Sequence, residues 1–176
     1  MFRVSRLVDA DLKAHVEASL RELMAKAFED DFSDNDWKNT YGGMRFLGHF
    51  EDRLIAHGAV VPRKMNIDGE PKIVGYVEAI AVEPSYWRKG YGSLLMADLT
   101  SFCKSEFSLS MLSTDEKDFY RKSGWRDFQG MSYVLQDGKE VRTEDEDYGL
   151  MYILGKDPAL EEPRKAVCNS RSGDDW

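Results

Sequence analysis

One carboxylate stands alone in an uncharged stretch. In Ile73-Val74-Gly75-Tyr76-Val77-Glu78-Ala79-Ile80-Ala81-Val82 every residue except Glu78 is apolar, small or aromatic, as in a strand covered on both faces. Period two groups Glu78 with Val74, Tyr76, Ile80 and Val82. A carboxylate kept from water needs a partner or a task. One such task is general-base removal of a proton from an ammonium group. At a sheet edge the same side chain would simply meet solvent, and the strand alone does not separate these readings.

The segment after it has a second chemistry. Tyr86-Trp87-Arg88-Lys89-Gly90-Tyr91-Gly92-Ser93 joins the strand to a helix. A helix N-terminus offers unpaired N–H groups and the positive end of a dipole, which suit a pyrophosphate. Gly90 and Gly92 allow close backbone approach, and Arg88 and Lys89 add positive charge. A lone G-x-G is common before helices; the strand before it and the basic residues beside it make it more specific.

The elements that must position these residues follow from periodicity. Phe2–Leu7 reads as a strand. Leu12, Val16, Leu20, Leu23, Ala27 and Phe28 recur at helical spacing behind a cap at Asp9 or Asp11. Ser33 with Asp36 resembles a capping box at a short second helix. Met44–Phe50 and Leu54–Met65 form a hairpin, and Asp68-Gly69 turns the chain into Ile73–Val82. Then come helix Tyr91–Cys103, strand Phe107–Ser113, helix Glu116–Ser123 and strands Met131–Leu135 and Leu150–Leu154. Residues 138–149 read as a charged loop and 155–176 as a polar tail. The order β-α-α-β-β-β-α-β-α-β-β predicts one α/β (α+β) domain over residues 1–176, its sheet mixed and mostly antiparallel with helices on both faces.

Composition excludes several classes. The chain has 176 residues, 42% hydrophobic and 12% aromatic, which is not a disordered composition. Lys and Arg number 24 against 32 Asp and Glu, a net charge of −8, which argues against nucleic acid or an anionic membrane as partner and favours a cationic one. Met1–Leu7 does not resemble a signal peptide, and no run approaches the ~18 apolar residues of a membrane span. Cys103 and Cys168 fit no metal or disulfide pattern, and His15, His49 and His57 form no metal set. The expectation is a cytoplasmic protein without a metal, with a homodimer as the candidate assembly.

Pro84–Gly92 resembles the acetyl-CoA loop of the GNAT acetyltransferases, Q/R-x-x-G-x-G/A, and the element order matches that fold. Phe28-Glu29-Asp30-Asp31-Phe32-Ser33, Asp36-Trp37, Tyr41-Gly42-Gly43-Met44, Gly75–Ala79, Tyr120 before Gly124-Trp125 and Gly173-Asp174-Asp175-Trp176 resemble the aminoglycoside 2′-N-acetyltransferases more narrowly. The resemblance implies acetyl transfer from acetyl-CoA to a polycationic small-molecule amine by direct attack in a ternary complex. It implies Glu78 as base through water and Tyr120 as acid for the CoA thiolate. Ile80, Ala81, Val82, Arg88, Lys89, Gly90, Tyr91, Gly92 and Ser93 would hold acetyl-CoA, the strand bulging to pair with the pantetheine arm. Asp31, Asp36, Glu78, Ala79, Ser113, Asp147, Asp174 and the Trp176 carboxylate would surround the sugar, with residues 155–176 closing on the site.

Each role has a plainer counterpart. Asp31 and Asp36 suit a helix N-terminus anyway; Tyr120 beside Phe119 suits core packing; Ser113 can merely end a strand. Asp147 lies in the run Glu144-Asp145-Glu146-Asp147, and Asp174 and Trp176 can fray. The chain also departs from the pattern: Trp87 replaces Gln or Arg, Ser113–Tyr120 is two residues shorter, and Cys168-Asn169-Ser170-Arg171 replaces an acid followed by an aromatic. Alternatives are a GNAT enzyme acting on another cationic amine (a polyamine, a peptide N-terminus or another antibiotic) and a non-catalytic acyl-CoA-binding module.

Overall fold

The computed structural model describes residues 1–157 and 160–176. The chain divides into two compact units, residues 1–61 with 77–101 and residues 62–76 with 102–176.

In the first unit, β1 (Phe2–Val8) runs antiparallel to β2 (Met44–Phe50), which runs antiparallel to the first part of β3 (Arg53–Ile67). The unit also holds α1 (Ala14–Ala27), α2 (Asp34–Asn39), the end of β4 (Glu70–Val82) and most of α3 (Tyr91–Glu106). Leu20, Leu23 and Met24 of α1 pack with Trp37 of α2, Leu47 of β2 and Ala81 of β4. The expected capping box is present: the Ser33 hydroxyl accepts from the Asp36 N–H, and the Asp36 carboxylate accepts from the Ser33 N–H at 2.8 Å. The expected cap of α1 is absent. Asp9–Asp11 form a separate 3₁₀ turn, and α1 begins after Lys13 without a side-chain cap. Gly43 is required by close approach, because a Cβ there would sit 2.0 Å from the Val60 carbonyl oxygen.

In the second unit the strand order is β6-β9-β5-β4-β3-β10-β7-β8. The strands not yet given are β5 (Leu109–Ser113), β6 (Arg126–Asp127), β7 (Met131–Gln136), β8 (Lys139–Arg142), β9 (Leu150–Leu154) and β10 (Lys165–Asn169), with α4 at Lys117–Arg121 and α5 at Glu144–Asp147. Pairings β4–β5 and β10–β7 are parallel; β5–β9, β6–β9, β10–β3 and β7–β8 are antiparallel. The mixed, mostly antiparallel sheet is as expected.

Two stretches differ from expectation. Residues 138–149 contain β8 and α5 rather than a loop. The expected polar tail contains β10, whose Ala166, Val167 and Cys168 are buried and which pairs with both β3 and β7. Five residues flanked by charge show no readable periodicity; pairing on both sides makes the strand. Pro158 and Ala159 of that tail lie outside the described residues. The Trp176 ring is buried among Met65, Tyr76, Met111 and Cys168, and its Nε1–H donates to Thr143 Oγ1 at 3.1 Å. Trp176→Ala should therefore lower unfolding stability by about 3–5 kcal/mol, measured by urea denaturation. A loss below about 0.5 kcal/mol, the range of ordinary surface substitutions, would show that the ring is not part of this core.

Candidate active site

In the first unit, the extended backbone of β4 is interrupted beside Glu78. Ala79 has φ 51°, a left-handed conformation that costs an L residue roughly 1–2 kcal/mol. The strict alternation expected over Val74–Val82 therefore does not carry across position 79. Glu78, Ala79 and Ile80 are half-buried while Ala81 is buried. Glu78 is thus not an exposed edge residue, and it has interactions within the fold.

A polar chain reaches this bulge from the 3₁₀ turn that follows β1. Arg45 is fully buried; its Nε donates to Asp9 Oδ1 at 2.6 Å, and Asp9 Oδ2 accepts the Gly42 N–H at 2.6 Å. The guanidinium lies over the Trp37 and Tyr41 rings. Its Nη1 is 3.3 Å from His57 Nε2, and His57 Nδ1 is 2.9 Å from the Ala79 carbonyl oxygen. These residues were missed as functional candidates. Their signal was available: His57 is the polar residue of Ile55-Ala56-His57-Gly58-Ala59, as Glu78 is of its own strand.

Farther along, the loop to α3 is pinned by its side chains. Trp87 Nε1–H donates to the Val82 carbonyl at 2.6 Å, and Lys89 Nζ donates to the Ser85 carbonyl at 2.8 Å. Trp87 thus holds the loop by its indole where Gln or Arg was expected. Arg88 and Gly90 take positive φ of 58° and 85°, and a Cβ on Gly90 would meet nothing within 4 Å. Tyr91 packs against Phe2, Phe50 and Tyr86, fixing the start of α3. The helical bond from Leu94 N–H reaches Gly90 O, so the amides of Tyr91, Gly92 and Ser93 lie in the turn where helices lack i−4 acceptors. Open space, N–H donors and nearby basic charge fit the pyrophosphate of a CoA thioester.

Asp31 is exposed after the left-handed pair Glu29 and Asp30. Asp36 spends its Oδ2 on the Ser33 cap.

In the second unit, Tyr120 is buried, and burial pushes its pKa up; a hydrogen bond with Thr114 opposes this and the Glu116 charge adds to it. The phenol therefore holds its proton at neutral pH. Ser113 is exposed at the end of β5. Asp147 is committed elsewhere: it accepts from Ser132 N and Oγ at 2.8 and 2.6 Å and pairs with Arg142 through both oxygens. Burial opposes its ionisation, but the Arg142 and Ser132 hydrogen bonds prevail and its pKa is lowered. Its neighbour Glu146 has a raised pKa, first from burial and then from the charges of Asp174, Asp145, Asp175 and Asp115. Glu146, not Asp147, is therefore the member of that run in an uncompensated acidic field.

Asp174 is exposed and its Oδ1 accepts the Trp176 N–H at 3.1 Å. The segment is held by Arg63, donating to Asp175 O at 2.8 Å, and by Arg171, donating to Asp174 O at 2.5 Å. Cys103 is buried with its thiol pushed up to about 12 by burial, and Cys168 to about 11, so neither is a ready nucleophile. Among the described residues no group of three or more His, Cys, Asp or Glu is placed to hold a metal ion, and no helix is long and apolar enough to cross a membrane.

A family model for the acetyltransferase (GNAT) domain matches residues 11–127. An aminoglycoside 2′-N-acetyltransferase of Mycolicibacterium fortuitum is 32% identical over the whole chain and 93% of its own length. The crystal structure of the Escherichia coli GNAT family N-acetyltransferase YhbS in complex with CoA superposes with a TM-score of 0.65 at 14% identity, covering 95% of this chain and 89% of that one. The ribosomal-protein-S18-alanine N-acetyltransferase from Escherichia coli gives 0.61 at 16% identity over 92% and 99%. The chain belongs to the GNAT acetyltransferase family. It is an N-acetyltransferase whose acetyl donor is acetyl-CoA.

The buried imidazole gives a stability prediction. Burial, the largest influence, pushes the His57 pKa down to about 3; the bond to Ala79 raises it, the Arg45 charge lowers it and the Asp9 charge raises it. An unfolded His titrates near ~6.5. The folded value lies below the unfolded one, so this contribution is fully present above ~6.5 and is lost as pH falls toward about 3. Each pH unit in that window costs about 1.4 kcal/mol. Between pH ~6.5 and ~5 the native protein should lose about 2 kcal/mol more than His57→Asn, which has no titrating ring there. Urea denaturation of both at the two pH values measures this; equal slopes would show that His57 titrates alike folded and unfolded.

Proposed function

We propose that the protein transfers the acetyl group of acetyl-CoA to the 2′-amine of an aminoglycoside. The observation that carries this reading is the 32% identity to the Mycolicibacterium fortuitum enzyme over the whole chain. The acidic field around Glu146, Asp174 and Asp115 supports it, because each ammonium of a polycation gains from charge-assisted bonds to carboxylates. Asp31, Asp36, Ala79, Ser113 and Trp176 complete the proposed acceptor set. Cytoplasmic action follows, since acetyl-CoA is available there.

Glu78 takes a proton from the acceptor ammonium through water, leaving a neutral amine whose lone pair attacks the acetyl carbonyl carbon. The carbon–sulfur bond breaks as the new carbon–nitrogen bond is kept; the departing thiolate takes the Tyr120 proton, and the second proton of the attacking nitrogen passes through water to the tyrosinate as the amide forms. The backbone of Ile80–Val82 and the amides of Gly90–Ser93, with Arg88 and Lys89, hold the donor.

One observation favours a different cationic amine with fewer ammonium groups. Arg142 occupies Asp147, and Arg171 brings a guanidinium to the Asp174 carbonyl and to a carboxylate oxygen of Trp176. Both place protein cations where the resemblance would put substrate nitrogen.

Substrate choice separates the readings. Tobramycin, which carries a 2′-amine, should be acetylated, whereas kanamycin A and amikacin, with a hydroxyl there, should not. Release of free CoA thiol measures turnover, and equal turnover of amikacin and tobramycin would overturn the 2′ assignment. Glu78→Gln should lower kcat by ~10²–10⁴-fold, the usual contribution of a general acid–base group. Tyr120→Phe should lower kcat with little change in acetyl-CoA affinity. A Tyr120→Phe enzyme with native kcat at every pH would reduce that tyrosine to core packing.

A further inference from the structure

The left-handed residue beside Glu78 has a dedicated side-chain partner. His57 is fully buried in β3, with Nδ1 2.9 Å from the Ala79 carbonyl oxygen and Nε2 3.3 Å from Arg45 Nη1. A guanidinium only donates and a carbonyl only accepts. Nε2 is therefore the acceptor and Nδ1 carries the proton, so both neighbours select the same neutral tautomer. Arg45 is held in turn by Asp9, which also takes the Gly42 N–H. The ring can neither rotate by half a turn nor shift along the strand without breaking one of these bonds.

This investment exceeds what packing needs. Ala56 and Ala59 beside His57 are buried apolar residues, and an apolar side chain at position 57 would avoid burying a polar ring. The Ala79 carbonyl is where the ring's donor goes, and Ala79 is the strained residue of β4. Strained conformations persist only where surrounding groups fix them. Residue 79 also joins Glu78 to Ile80-Ala81-Val82, so its φ and ψ set the direction of the carboxylate relative to the backbone that follows.

We infer that His57 is a positioning residue for acetyl transfer: by donating Nδ1–H to the Ala79 carbonyl it fixes the bulge that orients Glu78 and the Ile80–Val82 backbone. This rests on the reading above, in which Glu78 is the base and Ile80–Val82 borders acetyl-CoA. His57 touches neither reactant in that scheme and acts through Ala79.

Two substitutions divide the imidazole's contacts. In His57→Asn the amide NH₂ can stand where Nδ1–H stood and keep the Ala79 bond. In His57→Gln the amide reaches toward the Nε2 position and Arg45, and the Ala79 donor is lost. His57→Gln should lower kcat roughly 10–100-fold, the scale of a small misplacement of reacting groups. It should also weaken acetyl-CoA binding, measured by calorimetry, while His57→Asn keeps most of both. Assays run well below each variant's melting temperature separate this from lost stability, which both substitutions share. Native kcat and acetyl-CoA affinity in His57→Gln would overturn the inference, as would equal losses in the two variants.

Glu78→Gln measured alongside keeps the two ideas apart. If it retains native kcat, the base assignment fails, while the acetyl-CoA affinities of the His57 variants still test the bulge. Nitrogen NMR of the native protein needs no variant to fold. A neutral ring protonated on Nδ1 supports the inference, and one protonated on Nε2 overturns it.

Discussion

The first unit is organised around one fully buried guanidinium. A guanidinium buried at position 45 must be neutralised in place. Asp9 does this at 2.6 Å while the Trp37 and Tyr41 rings cover the guanidinium plane. The requirement propagates in both directions. Asp9, drawn to Arg45 and Gly42, is unavailable to α1, which therefore starts after Lys13 without a side-chain cap. On the other side, Arg45 donates to His57, which leaves the ring only its Nδ1–H to give, and that goes to Ala79. A single charge thus decides where a helix begins and supports the departure of a strand from extended geometry.

Local signals were legible where the neighbouring residues alone decide the outcome. The Ser33–Asp36 box satisfies its own backbone groups within a few residues, and the turn at Asp68-Gly69 and the glycine-containing entry to α3 are set by the positive φ that Gly69 and Gly90 adopt. The isolated Glu78 was also visible, since one charge in an apolar strand demands explanation. Long-range choices were not legible. Asp9 had two possible clients, α1 and Arg45, and sequence proximity favoured the wrong one. β10 was hidden because Ala166-Val167-Cys168 is short and its stability comes from partners about 30 and 100 positions away. The bulge was expected from the resemblance alone; no pattern in Glu78-Ala79-Ile80 announces that an alanine will adopt positive φ.

The acidity of the chain has less to do with a ligand than its net charge suggests. Much of it is consumed internally. Asp147 is paired with Arg142, Asp9 with Arg45 and Glu83 with Arg53, and Asp68 accepts the backbone N–H groups of Arg164 and Lys165. A carboxylate already bonded to a guanidinium offers little to an incoming ammonium. The relevant acids are those whose surroundings resist their charge, and Glu146, raised by burial and by Asp174, Asp145, Asp175 and Asp115, stands in that position. A cation arriving there would relieve repulsion as well as form bonds, which is a stronger driving force than an acidic surface in general.

The proposed donor and acceptor sites are built from different materials, and this bears on how they diverge. In the proposed scheme donor recognition rests on the Ile80–Val82 backbone, the amides that open α3 and the left-handed Arg88 and Gly90. Backbone donors survive side-chain exchange provided the conformation is kept. Replacement of Gln or Arg by Trp87 is tolerable on those grounds, because its indole N–H supplies a bond to the Val82 carbonyl that holds the loop. In the proposed scheme the acceptor side rests on individual carboxylates, and an arginine bonded to one of them removes that contact outright. Arg142, which engages both oxygens of Asp147, is an arginine of that kind. The fold itself persists in solved structures at 14–16% identity. Between those extremes lies Glu78, a side chain whose direction is set by backbone. In the proposed scheme its direction depends on the bulge at Ala79, whose carbonyl is linked through His57 to the buried Arg45.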